Sequence, residues 1–403
     1  MVPSTKGDEI KFPLRRVTEG RVSFYIPDTP DMETDFVKTP VFYNPQMELN
    51  RDLSILAVQV FQEEKQRLIQ FCEPLTGCGV RGIRIALEVR GIQEVYLNDR
   101  STPAYELTKE NIRVNEVREK VKVSNEDGNL FLDKHTASGN RFDVIDVDPF
   151  GTPAPYIDAA IRALKKKESL LCATATDMAP LCGVYPEASF RKYGGYPLKT
   201  KYCHEIAVRL LAGCIIRIAA RFSMGTKVRF VHSTDHYIRV YIEADHGDTK
   251  ADASLESLGF LLHCFSCGYR DLVEGITTLF THLCPNCTSP LSIGGPLFVG
   301  KLFDKSLCER MKAEAEKRQL DATKKRIMRL LIRIIEEADG PPLYYDIHSL
   351  CDDLSIQVPK IEHVMNLLEK KDFKTTRTHF KPTALRTTAN IDDLKDILLK
   401  LRQ

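Results

Sequence analysis

The chain carries almost no net charge: 57 lysines and arginines face 55 aspartates and glutamates, a formal balance of +2. That excludes a global positive field, so any hold on nucleic acid must come from local basic patches. Long apolar runs are missing too. The longest candidate, Leu210 to Ala220, is broken by Arg217, which excludes it as a membrane span. The stretch MVPSTKGDEIKF lacks the apolar core of a secretory signal, so an intracellular and most simply cytoplasmic setting is expected, without membrane contact. There is no disulfide-scaffold spacing either. Of twelve cysteines, eight are scattered singly, and those in apolar contexts, such as Cys172, Cys203 and Cys214, read as buried thiols of a reducing compartment. His204-Glu205 lacks the second histidine of HExxH, which excludes a zinc-protease helix.

What is present belongs to a globular protein. With 403 residues, 43% apolar and 28% charged, the chain can build two or three domains with real cores. Residues 16–45 read as a strand-and-turn lead-in, broken at Gly20 and Pro27. Asn44-Pro45 then signals a helix start, and Met47, Leu49, Leu53, Leu56 and Val60 supply its stripe. Arg51 and Asp52 fall near that start. Phe42 and Tyr43 precede it, and core packing is the simpler reading of both rings.

Leu68 to Leu75 reads as a buried strand leading into Gly77, Gly79 and Gly82, a GxGxxG loop, and a helix from Ile83 to Val89. Such a loop lets a ligand approach the backbone closely, and dehydrogenases and methyltransferases both use it. A second strand ends at Asn98-Asp99, seventeen residues past Gly82, where an acid suits ribose hydroxyls. A third strand ends at Glu126-Asp127-Gly128, which reads equally as a surface turn. Arg141 to Gly151, RFDVIDVDPFG, is an apolar strand that stops at Asp148-Pro149-Phe150-Gly151. Asp-Pro and Phe-Gly are ordinary turn dipeptides, yet an acid, a stiff proline and an aromatic at a strand's carboxyl end are also where open α/β sheets place chemistry. The next strand, Ser169 to Thr176, ends at Asp177, a helix cap or a site acid. A helix over Glu205 to Phe222 presents Arg217 and Arg221 to solvent or nucleic acid. Two strands, Lys227–His232 and His236–Ala244, close a seven-stranded α/β sheet ending near residue 247.

Cys264 and Cys267, then sixteen residues, then Cys284 and Cys287 form CxxC…CxxC at zinc-ribbon spacing. Four thiolates leave no open position, so a zinc ion here is structural. Lys301 to Arg333 reads as helical and basic, with eleven lysines and arginines against five acids. Beyond Gly340 a helix–turn–helix and an alternating stretch, Phe373 to Lys381 with Leu385–Thr387 as its return, suggest a winged helix whose basic wing touches nucleic-acid backbone.

Together these stretches resemble the tRNA (guanine-26-N2)-dimethyltransferase family. The resemblance rests on VFYNPQMELNRDLS, GCGVRGIRIALE, LNDRSTPAYELTKENIRVN, DVDPFG, TATDMAPLCG, KYCHEIAVRLL and TRTHFKPTALRT. It implies a class I S-adenosylmethionine-dependent methyltransferase domain, Rossmann-like, over 1–247. A zinc-ribbon-like insert with its helical connector follows over 248–320, and a winged-helix-like module for tRNA contact over 321–403. It further implies S-adenosylmethionine across Gly77 and Gly79, with Arg51 and Arg81 near its methionine end. Asp99, flanked by Arg100, would take the ribose, and Asp127 with Gly128 the adenine. Asp148 and Pro149 would receive the guanine amino group, between Phe42 and Phe150. No obligate protein partner is expected beside tRNA. The alternatives are an RNA N-methyltransferase with another target, an NAD(P)-dependent dehydrogenase, and a noncatalytic nucleic-acid-binding protein; the last two leave DPFG without a use.

Overall fold

The computed structural model describes residues 10–28, 39–277, 281–320 and 322–401. Among these, no helix is long and apolar enough to cross a membrane. By contacts they fall into two units, each discontinuous in sequence: 1–149, 156–173 and 310–328 form the first, and 150–155, 174–309 and 329–403 the second.

The first unit opens with a hairpin of β1 (Leu14–Glu19) and β2 (Val22–Pro27). The rest of the expected lead-in, 29–38, lies outside the described residues. The carboxamide oxygen of Asn44 accepts the N–H of Gln46 and caps a single 3-10 turn, Pro45–Met47, as the Asn-Pro pair suggests. That turn leads into α1 (Glu48–Lys65). Strands and helices then alternate: β3 (Ile69–Glu73), α2 (Val80–Glu88), β4 (Ile92–Asn98), α3 (Thr102–Val114), β5 (Val121–Ser124), α4 (Gly128–Ser138), β6 (Val144–Val147), α5 (Ala154–Ala163) and β7 (Ser169–Ala175). A strand buried on both faces along its whole length, such as β7, needs cover on both sides, which parallel pairing with crossover helices provides.

Further along are α6 (Met178–Leu181), α7 (Pro186–Tyr193), α8 (Cys203–Ala220), β8 (Met224–Thr234) and β9 (Tyr237–His246). Seven strands are hydrogen-bonded in the order β5-β4-β3-β6-β7-β9-β8. The pairs from β5 to β7 are parallel, and β8 with β9 is antiparallel. Chain order reverses between β3 and β6. In open α/β sheets the crevice beyond the carboxyl ends at that reversal is where ligands bind.

The second unit continues with α9 (Asp248–Glu256) and an antiparallel sheet, β11-β10-β12, from β10 (Leu258–His263), β11 (Arg270–Glu274) and β12 (Ser292–Phe298). The basic stretch expected to be helical forms two helices, α10 (Lys305–Lys317) and α11 (Lys324–Glu337). The break is held in the first unit, where Arg318 Nη2 donates to the Glu88 carbonyl at 3.0 Å and the Thr323 hydroxyl donates to Asp52. Last come β13 (Tyr345–Asp346), α12 (Ile347–Asp353), α13 (Ile361–Glu369), β14 (Thr375–Arg377), β15 (Ala384–Thr387) and α14 (Ile391–Lys400), with strand order β13-β15-β14. Ile347, Leu350, Val364, Leu368, Leu385, Leu394 and Leu398 form their core. Two helices followed by a hairpin is the winged-helix order read from the sequence.

A buried ion network fastens α2 into the first unit. Arg84 is wholly buried and donates to Glu19 Oε1 (2.7 Å), Asp52 Oδ1 (2.6 Å) and Glu88 Oε1 (2.9 Å). Arg51 donates to both oxygens of the same Glu19, at 2.7 and 2.6 Å. Burial alone would raise the Glu19 carboxyl, but the guanidiniums of Arg51 and Arg84 together pull it down to about 2 from 4.5. Removing that carboxylate takes from buried Arg51 the acid it is clamped to and leaves Arg84 with two of its three, so Glu19→Ala should lose about 3–5 kcal/mol at pH 7. Because the folded value is depressed, this contribution is present above about 4.5 and fades as pH falls through about 2. Denaturant midpoints of wild type and Glu19→Ala should therefore converge on acidification. A gap under about 1 kcal/mol at pH 7 would discard the network as a stabilising feature.

Candidate active site

The site is built where β3, β4 and β5 end. Beyond β3 the chain turns through Gly77 and Gly79 into α2. Gly79 has φ +80°, and a Cβ there would lie 2.8 Å from Thr108 Cγ2. A Cβ on Gly82 would sit 2.2 Å from Leu97 Cδ2, so α2 lies flat on β4 only because that position is glycine. Asp99, just past β4, accepts the N–H of Gly77 and of Ser101, both at 2.9 Å. Burial raises its carboxyl against these two bonds. Arg100 beside it is exposed. Asp127 caps α4 by accepting from Asn129 (3.0 Å) and Leu130 (3.2 Å), and Gly128 is buried against Leu75 and Pro74. The turn expected at 125–129 is thus also the start of a helix.

Asn98 joins the three strand ends. Its side-chain nitrogen donates to the carbonyls of Pro74 and Glu126, each at 3.0 Å, and its oxygen accepts the Glu126 N–H at 3.1 Å. Sequence reasoning passed over it, since one asparagine beside an acid looks like turn chemistry.

At the reversal between β3 and β6 three carboxyls meet one guanidinium. Arg81, only 4% exposed, holds Asp146 at 2.9 Å through Nη1 and Asp148 through Nη2, with Nε 3.1 Å from Glu73. Asp146 and Asp148 share a face because strand side chains alternate. That signal lay in DVD, although Asp146 was not singled out. Burial pushes the Glu73 carboxyl up to about 8 despite Arg81, so near neutral pH it mostly keeps its proton. Arg81 then faces two carboxylates rather than three. The Asp148 side chain keeps 14% exposure, enough to leave part of the carboxylate reachable.

The other predicted residues sit as follows. Phe42 is half-buried, and its carbonyl would be 3.1 Å from a Cβ on Gly77. Arg51 is buried on Glu19, with its guanidinium 5.1 Å from the Tyr43 ring centroid. Arg81 and Arg51 therefore both meet protein carboxylates. Pro149 ends the first unit. Phe150, 61% exposed, begins the next segment, where Gly151 exchanges hydrogen bonds with Thr176. Asp177 accepts from the Tyr193 hydroxyl (2.5 Å) and Lys192 Nζ (2.8 Å). Arg217, which one reading had facing solvent, is half-buried and donates to the carbonyls of Gly194 (2.7 Å) and Tyr193.

The four cysteines converge. Their sulfurs lie within 4.8 Å of one another, with Cys264–Cys287 and Cys267–Cys284 each at 3.5 Å. Tetrahedral thiolates about 2.3 Å from one ion stand about 3.8 Å apart, so the set fits a metal. Each pair rides a matching turn, in which Gly268 N–H donates to the Cys264 carbonyl and Thr288 N–H to that of Cys284, both at 2.9 Å. Cys203, expected to be buried, is only half so, and gathers with Cys182 and His204. In the winged module Arg377, Lys381 and Arg386 pair with Glu362, Asp346 and Glu337, so most of the wing's positive charge is already engaged.

A family model described as N2,N2-dimethylguanosine tRNA methyltransferase matches residues 20–399. A tRNA (guanine(26)-N(2))-dimethyltransferase of Methanobrevibacter smithii is 39% identical over 98% of this chain and 99% of its own length. One from Methanothermobacter thermautotrophicus is 41% identical over 96% and 98%. Among solved structures, Trm1 from Pyrococcus horikoshii in complex with S-adenosyl-L-methionine has a TM-score of 0.84 and 34% identity, covering 96% of this chain and all of that one.

The glycine loop makes a prediction of its own. Gly151 also has positive φ, but nothing lies within 4 Å of a Cβ there. Gly151→Ala should meet only the left-handed backbone cost, about 1–2 kcal/mol. Gly79→Ala adds the collision with Thr108 and should lose more. Thermal denaturation of the two variants compares them, and equal losses would remove Thr108 from the account.

Proposed function

The chain belongs to the N2,N2-dimethylguanosine tRNA methyltransferase family, and from that premise we propose that it transfers methyl groups from S-adenosylmethionine to the exocyclic amine of guanine 26 in tRNA. The products are N2-methyl- and then N2,N2-dimethylguanosine. The observation that carries this reading is the clamp of Arg81 on Asp148 at the sheet's reversal point, beside the glycine loop.

The residues suit the cofactor. Gly77 and Gly79 leave the backbone bare, Asp99 offers a carboxylate at the ribose position, and Asp127 with Gly128 supplies the edge for adenine. S-adenosylmethionine, when bound, supplies an activated methyl on a sulfonium. The chain's own task concerns the acceptor. The amino nitrogen of guanine is a poor nucleophile because its lone pair is delocalised into the ring. Asp148, turned by Arg81 through Oδ2, has Oδ1 left to accept an N–H of that amine. Such a bond favours a pyramidal, attacking nitrogen and stabilises the positive charge that develops there. Proline fixes the backbone beside Asp148, and the ring of Phe42 offers a face to a guanine drawn from its stack. Alignment supplies much of the remaining acceleration.

Zinc in the four-cysteine site would add stability without chemistry, because four thiolates close the coordination sphere. Such thiols and a tRNA substrate suit the cytoplasm.

Methyl transfer to an unmodified tRNA transcript, followed by nuclease digestion and mass spectrometry, tests the function. Dimethylguanosine in the fragment holding position 26 is expected, and methylation elsewhere would discard the target. Asp148→Ala should keep the melting shift given by S-adenosylhomocysteine while kcat falls about a hundredfold or more. Normal turnover would remove Asp148 from the chemistry. Cys264→Ser should release about one equivalent of zinc and lower the melting temperature. Unchanged metal content and melting would contradict a zinc site.

A further inference from the structure

Phe190 and Tyr196 stack on each other in the second unit, with ring centroids 4.5 Å apart and planes 16° from parallel. Apolar rings that pair this closely usually do so inside a core, yet these remain 44% and 43% exposed. Their surroundings are rigid. Arg217 donates to the carbonyls of Tyr193 and Gly194, which lie between them in the chain. Tyr196 is fixed by backbone bonds to Gly295, 2.9 Å from its N–H and 2.7 Å to its carbonyl. A mobile loop is not what holds these rings open.

The local charge is mostly positive. Arg191, Lys199 and Lys201 are exposed and form no ion pair among the described residues, and Glu187 is the single acid between Pro186 and Lys201. A continuous set of contacts joins this surface to the segment that follows Asp148-Pro149. The Phe150-Gly151 turn is bonded to Thr176, and Asp177 next to it accepts from Lys192 and Tyr193 of the helix that carries Phe190.

We infer that Phe190 and Tyr196, with Arg191, Lys199 and Lys201, form a docking platform on which a nucleotide of the tRNA, other than the guanine being methylated, stacks while its phosphates meet the cations. A base has a π-face whatever its sequence, so it can extend the two-ring stack by one layer, and phosphate complements the surplus cations. A protein partner would fit the rings but leave the charge unused. The assignment rests on the chain being a tRNA methyltransferase.

The test is tRNA binding by the full chain, measured as Kd by fluorescence anisotropy alongside methyl transfer. Phe190→Ala/Tyr196→Ala should weaken tRNA binding about tenfold or more. It should leave the melting shift from S-adenosylhomocysteine intact. Tyr196→Phe, which keeps the ring, should bind as wild type does. Lys199→Gln/Lys201→Gln, at exposed positions that do not threaten folding, should flatten the slope of log Kd against log salt by about 1–2. Unchanged affinity in the ring variant, or an unchanged salt slope in the lysine variant, would overturn the platform. If wild type binds tRNA but transfers no methyl, the proposed function falls while the affinity ratios still decide the platform. No binding of tRNA by wild type would sink both.

Discussion

The guanidinium of Arg81 is the constraint on which the site depends. Parallel strands that end side by side bring their last residues together, and here those residues are Glu73, Asp146 and Asp148. Three carboxyls at one buried point would repel one another and drive each other's protonation. One cation from α2 binds two of them, while burial keeps the third protonated near neutral pH. Asp148 is thereby aimed as well as neutralised, because a guanidinium bonds only along fixed directions. A lysine at this position would supply the charge without the angles.

Helix α2 can deliver that cation only if its own position is set. Gly82 lets it lie on β4, and Arg84, three residues after Arg81 and so close to the same face, locks it onto Glu19, Asp52 and Glu88. Arg51 joins through the shared Glu19. The residues of unit 1 that stabilise the fold and those that shape the site are therefore neighbours on one short helix. The cofactor side is tied in by backbone groups, through Asp99 on the Gly77 N–H and Asn98 on Pro74 and Glu126.

How much of this was legible follows from which signals are local. The glycine loop, the acid ending β4, the DVD alternation and the paired CxxC knuckles are each set by neighbours within a few residues, and the sequence displays them. The helix–helix–hairpin order of the last module is local in the same way. Charge partners are not. Arg81 meets carboxylates 65 and 67 residues away, and Arg217 meets carbonyls 23 and 24 residues away. A sequence reports that a cation exists but not which acid will be folded against it. For that reason Arg217 could be read as a free charge. For the same reason the basic wing looked available, although Arg377, Lys381 and Arg386 are paired within the module.

Net charge sharpens the same point. At +2 overall the chain has almost no long-range attraction for phosphate, so affinity for a polyanion depends on cations left over after internal pairing. Many of the arginines near functional elements are spent on structure: Arg51, Arg81 and Arg84 on carboxylates, Arg217 on carbonyls, Arg386 on Glu337. Cations that remain exposed and form no ion pair among the described residues, such as Arg191, Lys199 and Lys201, therefore carry more weight than their number suggests. A fold that uses arginine as internal mortar must recognise its substrate with what that mortar leaves uncovered, and lysine, with its flexible stem and strongly hydrated charge, is suited to that outer surface.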